Sequence, residues 1–299
     1  MSDKLIVVAG ATGNQGGAVA RKLIEEGGWR VRGLTRDPSK PEAQALAALG
    51  VEIVKADLDD RGSLDRAFKG AYGVFSVQNF WTVGYEAEIR QGKAVADAVR
   101  DSHINHLVYS SVGAAERNTG LPHFESKWQI ENYIRGLGLP VTVFRPVFWM
   151  DNFNGPNFKP SLREGKLVIA LRPETRLQMI ALEDIGYLVA HAFGFPQQFI
   201  GEEIEIAGDE LTMPEVAATF GRVMGCPVEF VQQNTEDVRK ANAEWAAMLE
   251  WFDREGYRAD IPYLRQVHPG LLRLEQWIRK SEWVPVGARQ NPVPGSRCR

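Results

Sequence analysis

The sequence predicts an alternating α/β protein: a doubly wound parallel sheet followed by a smaller, mostly helical C-terminal region. Three observations predict it. A short apolar, β-branched run opens the chain and runs into glycines spaced three residues apart. Further apolar runs of strand length recur up to Arg145, and helical patterns lie between them. Beyond Arg145 that alternation stops, and longer helical patterns with few strands take over.

The first element is Lys4–Ala9, long enough for one buried parallel strand. Gly10, Gly13 and Gly16 follow, and then Val19, Ala20, Leu23 and Ile24 recur at helical spacing. The glycines therefore sit in a strand-to-helix turn. Glycine there lets backbone N–H groups approach a pyrophosphate, and the helix N-terminus behind it adds partial positive charge. The flanking strand and helix supply the context such a motif needs. A βα turn that binds nothing is the competing reading.

Strands follow at 30–35, 51–55, 73–77, 106–111 and 141–145, with helices at 41–49, 63–69, 85–101 and 124–136. The second strand ends in Thr35-Arg36-Asp37-Pro38, with Lys40 close behind. An acidic residue at this place accepts hydrogen bonds from adenosine ribose, whereas an arginine pairs with a 2′-phosphate. Arg36 comes first after the strand, so NADP(H) is expected, with NAD(H) second. The alternative is that Asp37 turns inward and Arg36 is solvated. The third strand leads into Ala56-Asp57-Leu58-Asp59-Asp60, where Asp57 is expected to reach the adenine amino group and Leu58 the ring face. Asp59 and Asp60 are expected to cap the next helix or face water.

The fourth strand ends in Gln78-Asn79-Phe80-Trp81. The two amides suit ribose or phosphate, and the two rings either wall a pocket or cover the sheet edge. The fifth strand ends in Ser110-Ser111, and the next helix carries His123 and Lys127 four residues apart, on one face. Lys127 is expected to hold the nicotinamide ribose and to lower the pKa of a nearby donor. Tyr109 alternates toward the core.

Composition bounds the function. The chain has 299 residues, of which 44% are hydrophobic and 24% charged, as in soluble globular proteins. A net charge of −3 and the lack of an Arg-rich recognition helix argue against direct nucleic-acid binding. Two cysteines make no disulfide framework, and a reducing, cytoplasmic setting is expected. No signal pattern opens the sequence and no apolar run reaches membrane-spanning length, so no membrane partner is expected. His103 and His106 lack Cys or acidic companions at metal spacing, so no metal site is expected either.

In the second half, Phe148, Trp149, Met150, Phe153 and Phe158 form an aromatic-rich group, read either as the wall of a cleft or as a small core under a loop. Short strands are expected at 166–170 and 178–180 and a helix at 182–193. Thr212-Met213-Pro214-Glu215 starts another helix, which Gly225 ends. A strand is expected at 227–231, and helices at 236–253 and 271–280. The expected division is 1–150 for the dinucleotide-binding (Rossmann) domain, 151–280 for the smaller region completed by returning elements, and 281–299 for a disordered tail.

These motifs together resemble the NmrA-like group of atypical short-chain dehydrogenase/reductase proteins. The resemblance rests on GATGNQGG at Gly10–Gly17, TRDPSK at Thr35–Lys40, ADLDD at Ala56–Asp60, QNFW at Gln78–Trp81, HFESK at His123–Lys127 and FRPVFWMDNF at Phe144–Phe153. It continues through ALEDIG at Ala181–Gly186, GEEIEIAGDELTMPEVA at Gly201–Ala217 and HPGLLRLEQW at His268–Trp277. It implies that Gly10, Ala11, Thr12, Gly13, Asn14 and Gln15 cradle the pyrophosphate, and that Arg36 and Lys40 receive the 2′-phosphate. It also implies that Asp57 and Leu58 contact adenine, Gln78 and Asn79 line the middle of the cofactor, and Lys127 approaches the nicotinamide ribose. Trp149, Met150, Asp151 and Asn152 would border the nicotinamide end. The Tyr-x-x-x-Lys pair of the wider superfamily is replaced here by His123 and Lys127. The histidine either shuttles a proton or no longer does chemistry. The family contains NADP(H) sensors that act through protein partners, and reductases of quinones, dyes or phenolics. The expected function is a redox sensor or regulator. The alternative is an NAD(P)H-dependent oxidoreductase acting on a quinone-like or aromatic small molecule, with Lys127 and His123 as its catalytic pair.

Overall fold

The first 146 residues wind through six strands: β1 (Lys4–Val8), β2 (Trp29–Thr35), β3 (Glu52–Lys55), β4 (Gly73–Ser76), β5 (His106–Ser110) and β6 (Val141–Pro146). Between them run helices α1 (Asn14–Glu26), α2 (Pro41–Ala48), α3 (Arg61–Phe68), α4 (Phe80–Val83), α5 (Tyr85–Asp101) and α6 (Pro122–Gly136). This computed structural model describes residues 4–283. The chain forms two compact units, one of residues up to Pro146 with Leu182–Glu205, the other of Val147–Ala181 with residues from Ile206 onward.

In the first unit β1 pairs in parallel with β2 on one side and β4 on the other. The strand order is Glu203–Ile206, then β6, β5, β4, β1, β2 and β3. Chain order therefore reverses between β1 and β4, the place where doubly wound sheets open a crevice beyond the carboxyl ends of their strands. Val7, Val74, Leu107 and Tyr109 are buried in the core beneath α3, α5 and α6. At Gly92 of α5 a β-carbon would come within 2.5 Å of Ile130 of α6, so the glycine sets how closely these two helices pack.

The expected boundary at residue 150 is shifted. Helix Leu182–Gly194 belongs to the first unit and lies on α1, where a β-carbon on Gly186 would come within 2.8 Å of the Ala18 carbonyl. The seventh strand, Glu203–Ile206, was not expected from its sequence, since Glu-Ile-Glu-Ile offers only two apolar residues. Ion pairing helps to hold this edge. Arg145 of β6 forks onto buried Glu131 at 3.0 and 2.6 Å and also reaches Glu203 at 2.6 Å.

The second unit holds a three-stranded sheet, in which Arg176–Ile180 lies between Asp209–Thr212 and Phe148–Trp149, and a parallel pair of Lys166–Ile169 with Glu229–Gln232. Helices make up much of the rest. Helix Met213–Met224 begins in the expected capping box, with Thr212 and Glu215 bonding reciprocally, and ends at Gly225 in a left-handed conformation. The single helix expected over 236–253 is two, Thr235–Ala241 and Ala243–Arg254. Asn242 breaks it: its backbone is extended and its side chain caps the second helix through the Trp245 N–H. The last helix starts at Leu274 rather than Leu271.

Phe148, Phe153 and Phe158 stack against one another at 5.3 to 6.2 Å, which is the core-packing reading of that group. Of the expected tail, residues 284–299 lie outside the described residues. Trp283 lies inside them and is buried, its indole N–H donating to Asn154 at 2.7 Å, so the folded part extends past the expected limit.

Candidate functional site

The glycine turn sits at the carboxyl end of β1, beside the reversal point. Gly10 is left-handed at φ +66°, which reverses the chain, and Gly13 N–H closes the turn on the Gly10 carbonyl at 2.9 Å. Gly16 is required by packing, because a β-carbon there would lie 2.2 Å from the Gly10 oxygen. Gly13 differs. Its φ of −91° suits any residue, it is exposed, and a β-carbon would meet only the Gly10 oxygen at 3.3 Å. The backbone conformation at Gly13 therefore does not demand a glycine, although a β-carbon there would approach the Gly10 carbonyl tightly. Behind it, α1 starts with no side-chain cap and no acidic residue in its first turn. That leaves a helix N-terminus with partial positive charge and N–H groups aimed outward. Ala11 is buried, Thr12 half-buried and Asn14 exposed. Gln15 is buried and accepts a 2.6 Å hydrogen bond from Ser110 at the end of β5, fixing α1 to the sheet.

At the end of β2, Arg36 and Lys40 are exposed, and their charges help to lower the pKa of Asp59 and Asp37 respectively. Asp37 is engaged locally. Its carboxylate accepts from the Ser39 hydroxyl at 2.6 Å and the Ser39 N–H at 3.0 Å, and these bonds hold its pKa below the usual carboxylate value. Two positive charges thus stand beside one carboxylate already turned into its own loop. At the end of β3, Asp57 is half-buried and accepts from the Asp59 N–H at 3.0 Å, while Leu58 packs against the core. Asp60 stands at the N-cap position of α3 without a side-chain cap bond, and Asp59, expected either to cap that helix or to face water, is exposed. It binds Arg90 and Gln91 of α5, each at 2.8 Å, and the Arg90 bond lowers its pKa.

The ends of β4 and β5 and the start of α6 form the other half of the site. Gln78 is buried, and its amide donates to Ser76 at 2.9 Å. Its Oε1 and the Ser111 hydroxyl are buried without a hydrogen-bond partner among the described residues. Such groups are costly unless something polar meets them. Asn79 instead uses its side-chain oxygen to cap α4 through the Trp81 N–H. Lys127 is buried, with its ammonium 2.8 Å from the Gln78 carbonyl and 2.8 Å from the carboxylate of Glu88. Glu88 went unrecognised in the sequence. The available signal was its phase, four, seven and eleven residues before Gly92, Val95 and Val99, which puts a carboxylate on the buried face of α5.

His123 is enclosed by rings, with Trp81 at 5.0 Å, Phe80 at 5.7 Å and Phe124 at 4.7 Å. Trp81 itself is 57% exposed. Tyr109 lies in the core, and burial pushes its hydroxyl pKa well above the normal value. Of the remaining expected residues, Trp149, Asp151 and Asn152 are half-buried and Met150 is buried, all in the second unit.

Comparison with known proteins matches the NmrA-like family model over residues 2–279. The NmrA-like family domain-containing oxidoreductase FrzB of Cladobotryum sp. is 30% identical over 247 residues, covering 74% of each chain. Among solved structures, the negative transcriptional regulator NmrA in complex with NADP superposes with a TM-score of 0.78 at 22% identity, covering 98% of this chain and 99% of that one. The Citrobacter sp. triphenylmethane reductase complexed with NADP(H) superposes with a TM-score of 0.79 at 20% identity, covering 93% and 99%. Among the described residues, no helix is long and apolar enough to cross a membrane. The doubly wound sheet, the glycine turn at its reversal point and the match along nearly the whole sequence agree: this chain belongs to the NmrA-like family.

Proposed function

We propose that this chain binds NADP(H) and acts as a cytoplasmic sensor of the cofactor's redox state, read by a protein partner. The observation that carries the binding is the exposed positive charge at one end of the crevice. An uncapped helix N-terminus lies behind an exposed Gly13, and the exposed Arg36 and Lys40 stand near an Asp37 whose carboxylate is engaged by Ser39. The first suits a pyrophosphate and the second a 2′-phosphate. The orphaned Gln78 Oε1 and Ser111 hydroxyl offer polar contacts further along. NAD(H) would use the same turn without the phosphate on Arg36.

When bound, the cofactor's nicotinamide is the group that carries hydride. The residues nearby are poorly placed to supply a proton. Lys127 is held by Glu88 and Gln78, His123 is boxed by three rings, and Tyr109 is in the core. This supports sensing over turnover. A second reading, reduction of an aromatic or quinone-like acceptor, is favoured by one feature: the exposed face of Trp81 beside His123 offers a flat acceptor a stacking surface.

The test is calorimetric binding of NADPH, NADP+ and NADH, with NADPH absorbance followed against quinones, azo dyes and aldehydes. The expected result is tighter binding of NADPH than of NADH, with NADPH undiminished across the panel. Rapid oxidation that Lys127→Ala removes would replace the sensor with the reductase.

A further inference from the structure

Glu88 has no solvent exposure, yet it is a carboxylate on a helix face that otherwise carries Gly92, Val95 and Val99. Packing alone would be served by an apolar residue, since a buried charge is tolerated only when paired. Its partners both come from the start of α6. The Ser126 hydroxyl donates to Oε2, and the Lys127 ammonium lies 2.8 Å from Oε1. The same ammonium donates to the Gln78 carbonyl at 2.8 Å, at the end of β4. An ammonium has three N–H groups. Gln78 takes one of them, while Glu88 Oε1, which has no hydrogen-bond partner among the described residues, holds the ammonium by charge at 2.8 Å.

We infer that Glu88 is a positioning residue: its buried charge holds the Lys127 ammonium beside the Gln78 carbonyl so that a remaining N–H is presented to a ribose hydroxyl on the nicotinamide side of the dinucleotide. Ser126 holds the other carboxylate oxygen, so the clamp itself cannot rotate. An unclamped lysine would lose considerable rotamer freedom on meeting a ligand, and the clamp removes that cost in advance. The inference rests on the NADP(H) reading above.

Calorimetry with two ligands tests it. NADP+ reaches both halves of the crevice, whereas 2′,5′-ADP carries only the adenosine half and its 2′-phosphate. In Glu88→Gln, NADP+ should bind about tenfold more weakly, as expected for one charged hydrogen bond. The affinity for 2′,5′-ADP should stay within about twofold. A purely structural role for Glu88 would leave both affinities unchanged or weaken both alike, and either result overturns the inference. If Glu88→Gln does not fold, Ser126→Ala is read by the same split, with NADP+ weakened about threefold and 2′,5′-ADP unmoved. Wild-type protein that binds 2′,5′-ADP but shows no added affinity for NADP+ also overturns the clamp while leaving the phosphate site standing. Wild-type protein that binds neither overturns the NADP(H) reading itself.

Discussion

The two ends of the crevice in the first unit are built on opposite principles. At the β1–β2 end the polar groups are exposed and loosely held: an uncapped helix, an exposed glycine, and the exposed cations Arg36 and Lys40. At the β4–α6 end several are bound to one another, Lys127 to Glu88 and Gln78, Ser126 to Glu88 and Asn79 to the Trp81 backbone, while the Gln78 Oε1 and Ser111 hydroxyl are buried without a partner among the described residues. An open end can capture an anion, and its residues contribute little to folding. A closed end is preorganised, and its residues hold the fold as well as meeting a ligand. Substitutions should therefore separate into those that cost binding alone and those that cost stability.

The largest effect is expected at the open end. Gly13→Val should lower affinity for NADPH and NADH by more than about a thousandfold, by filling the space before the helix N-terminus. Its unfolding midpoint should fall less than that of Gly16→Ala, because a β-carbon at Gly13 would meet the Gly10 oxygen at 3.3 Å rather than 2.2 Å. Gly16→Ala should do the reverse and unfold the protein, as its β-carbon would lie 2.2 Å from that oxygen. Calorimetry and thermal unfolding of the two variants would break the comparison if both lost the same property.

At the closed end, Lys127→Ala strands the Glu88 carboxylate in the interior. Urea unfolding should show a loss of about 3 kcal/mol. A stability loss below about 1 kcal/mol would mean that water reaches Glu88 and that this end is open too.

Arg36→Asp sharpens the picture within the open end. It should weaken NADPH by about a hundredfold, roughly 2.7 kcal/mol, while NADH binding stays within a few-fold and stability is unchanged. Equal loss for both cofactors would remove the 2′-phosphate from Arg36.

The smallest effect belongs to neither end and serves as their common baseline. His106 lies in β5 with its Nε2 2.8 Å from the Thr142 hydroxyl, which in turn donates to the Phe199 carbonyl at 2.7 Å. Burial lowers its pKa from 6.5 to about 4. The unfolded chain therefore takes up a proton between these values that the folded chain refuses. Stability is full above about pH 6.5 and falls as pH drops toward 4. Urea unfolding at pH 5 should show a loss of about 2 kcal/mol relative to pH 7.5. A flat profile would mean that the ring is hydrated in the folded state.

The sequence by itself determined the alternating layers and the place of the crevice. A parallel strand buried on both faces must be an apolar run, and a tight turn into a helix needs glycine, so β1, Gly10 and α1 are all local in origin. The capping box at Thr212 is legible for the same reason, because it acts within a few residues of itself. Tertiary structure decided what depends on distant partners. The strand Glu203–Ile206 exists because β6 offers it an edge and Arg145 and Arg135 meet Glu203. The expected helix over 236–253 breaks because Asn242 takes an extended conformation and caps the helix that follows it. Asp59 reads as a helix cap or a water-facing residue until α5 brings Arg90 to it from 31 residues away. Glu88 and Lys127 are separated by the whole of β5 and by most of α5, and each alone reads as an ordinary charged residue. Only the packing of α5 on α6, set by Gly92 against Ile130, buries the two together. Burial is what turns a weak surface pair into a fixed one, because only there does losing water oblige each charge to keep its partner.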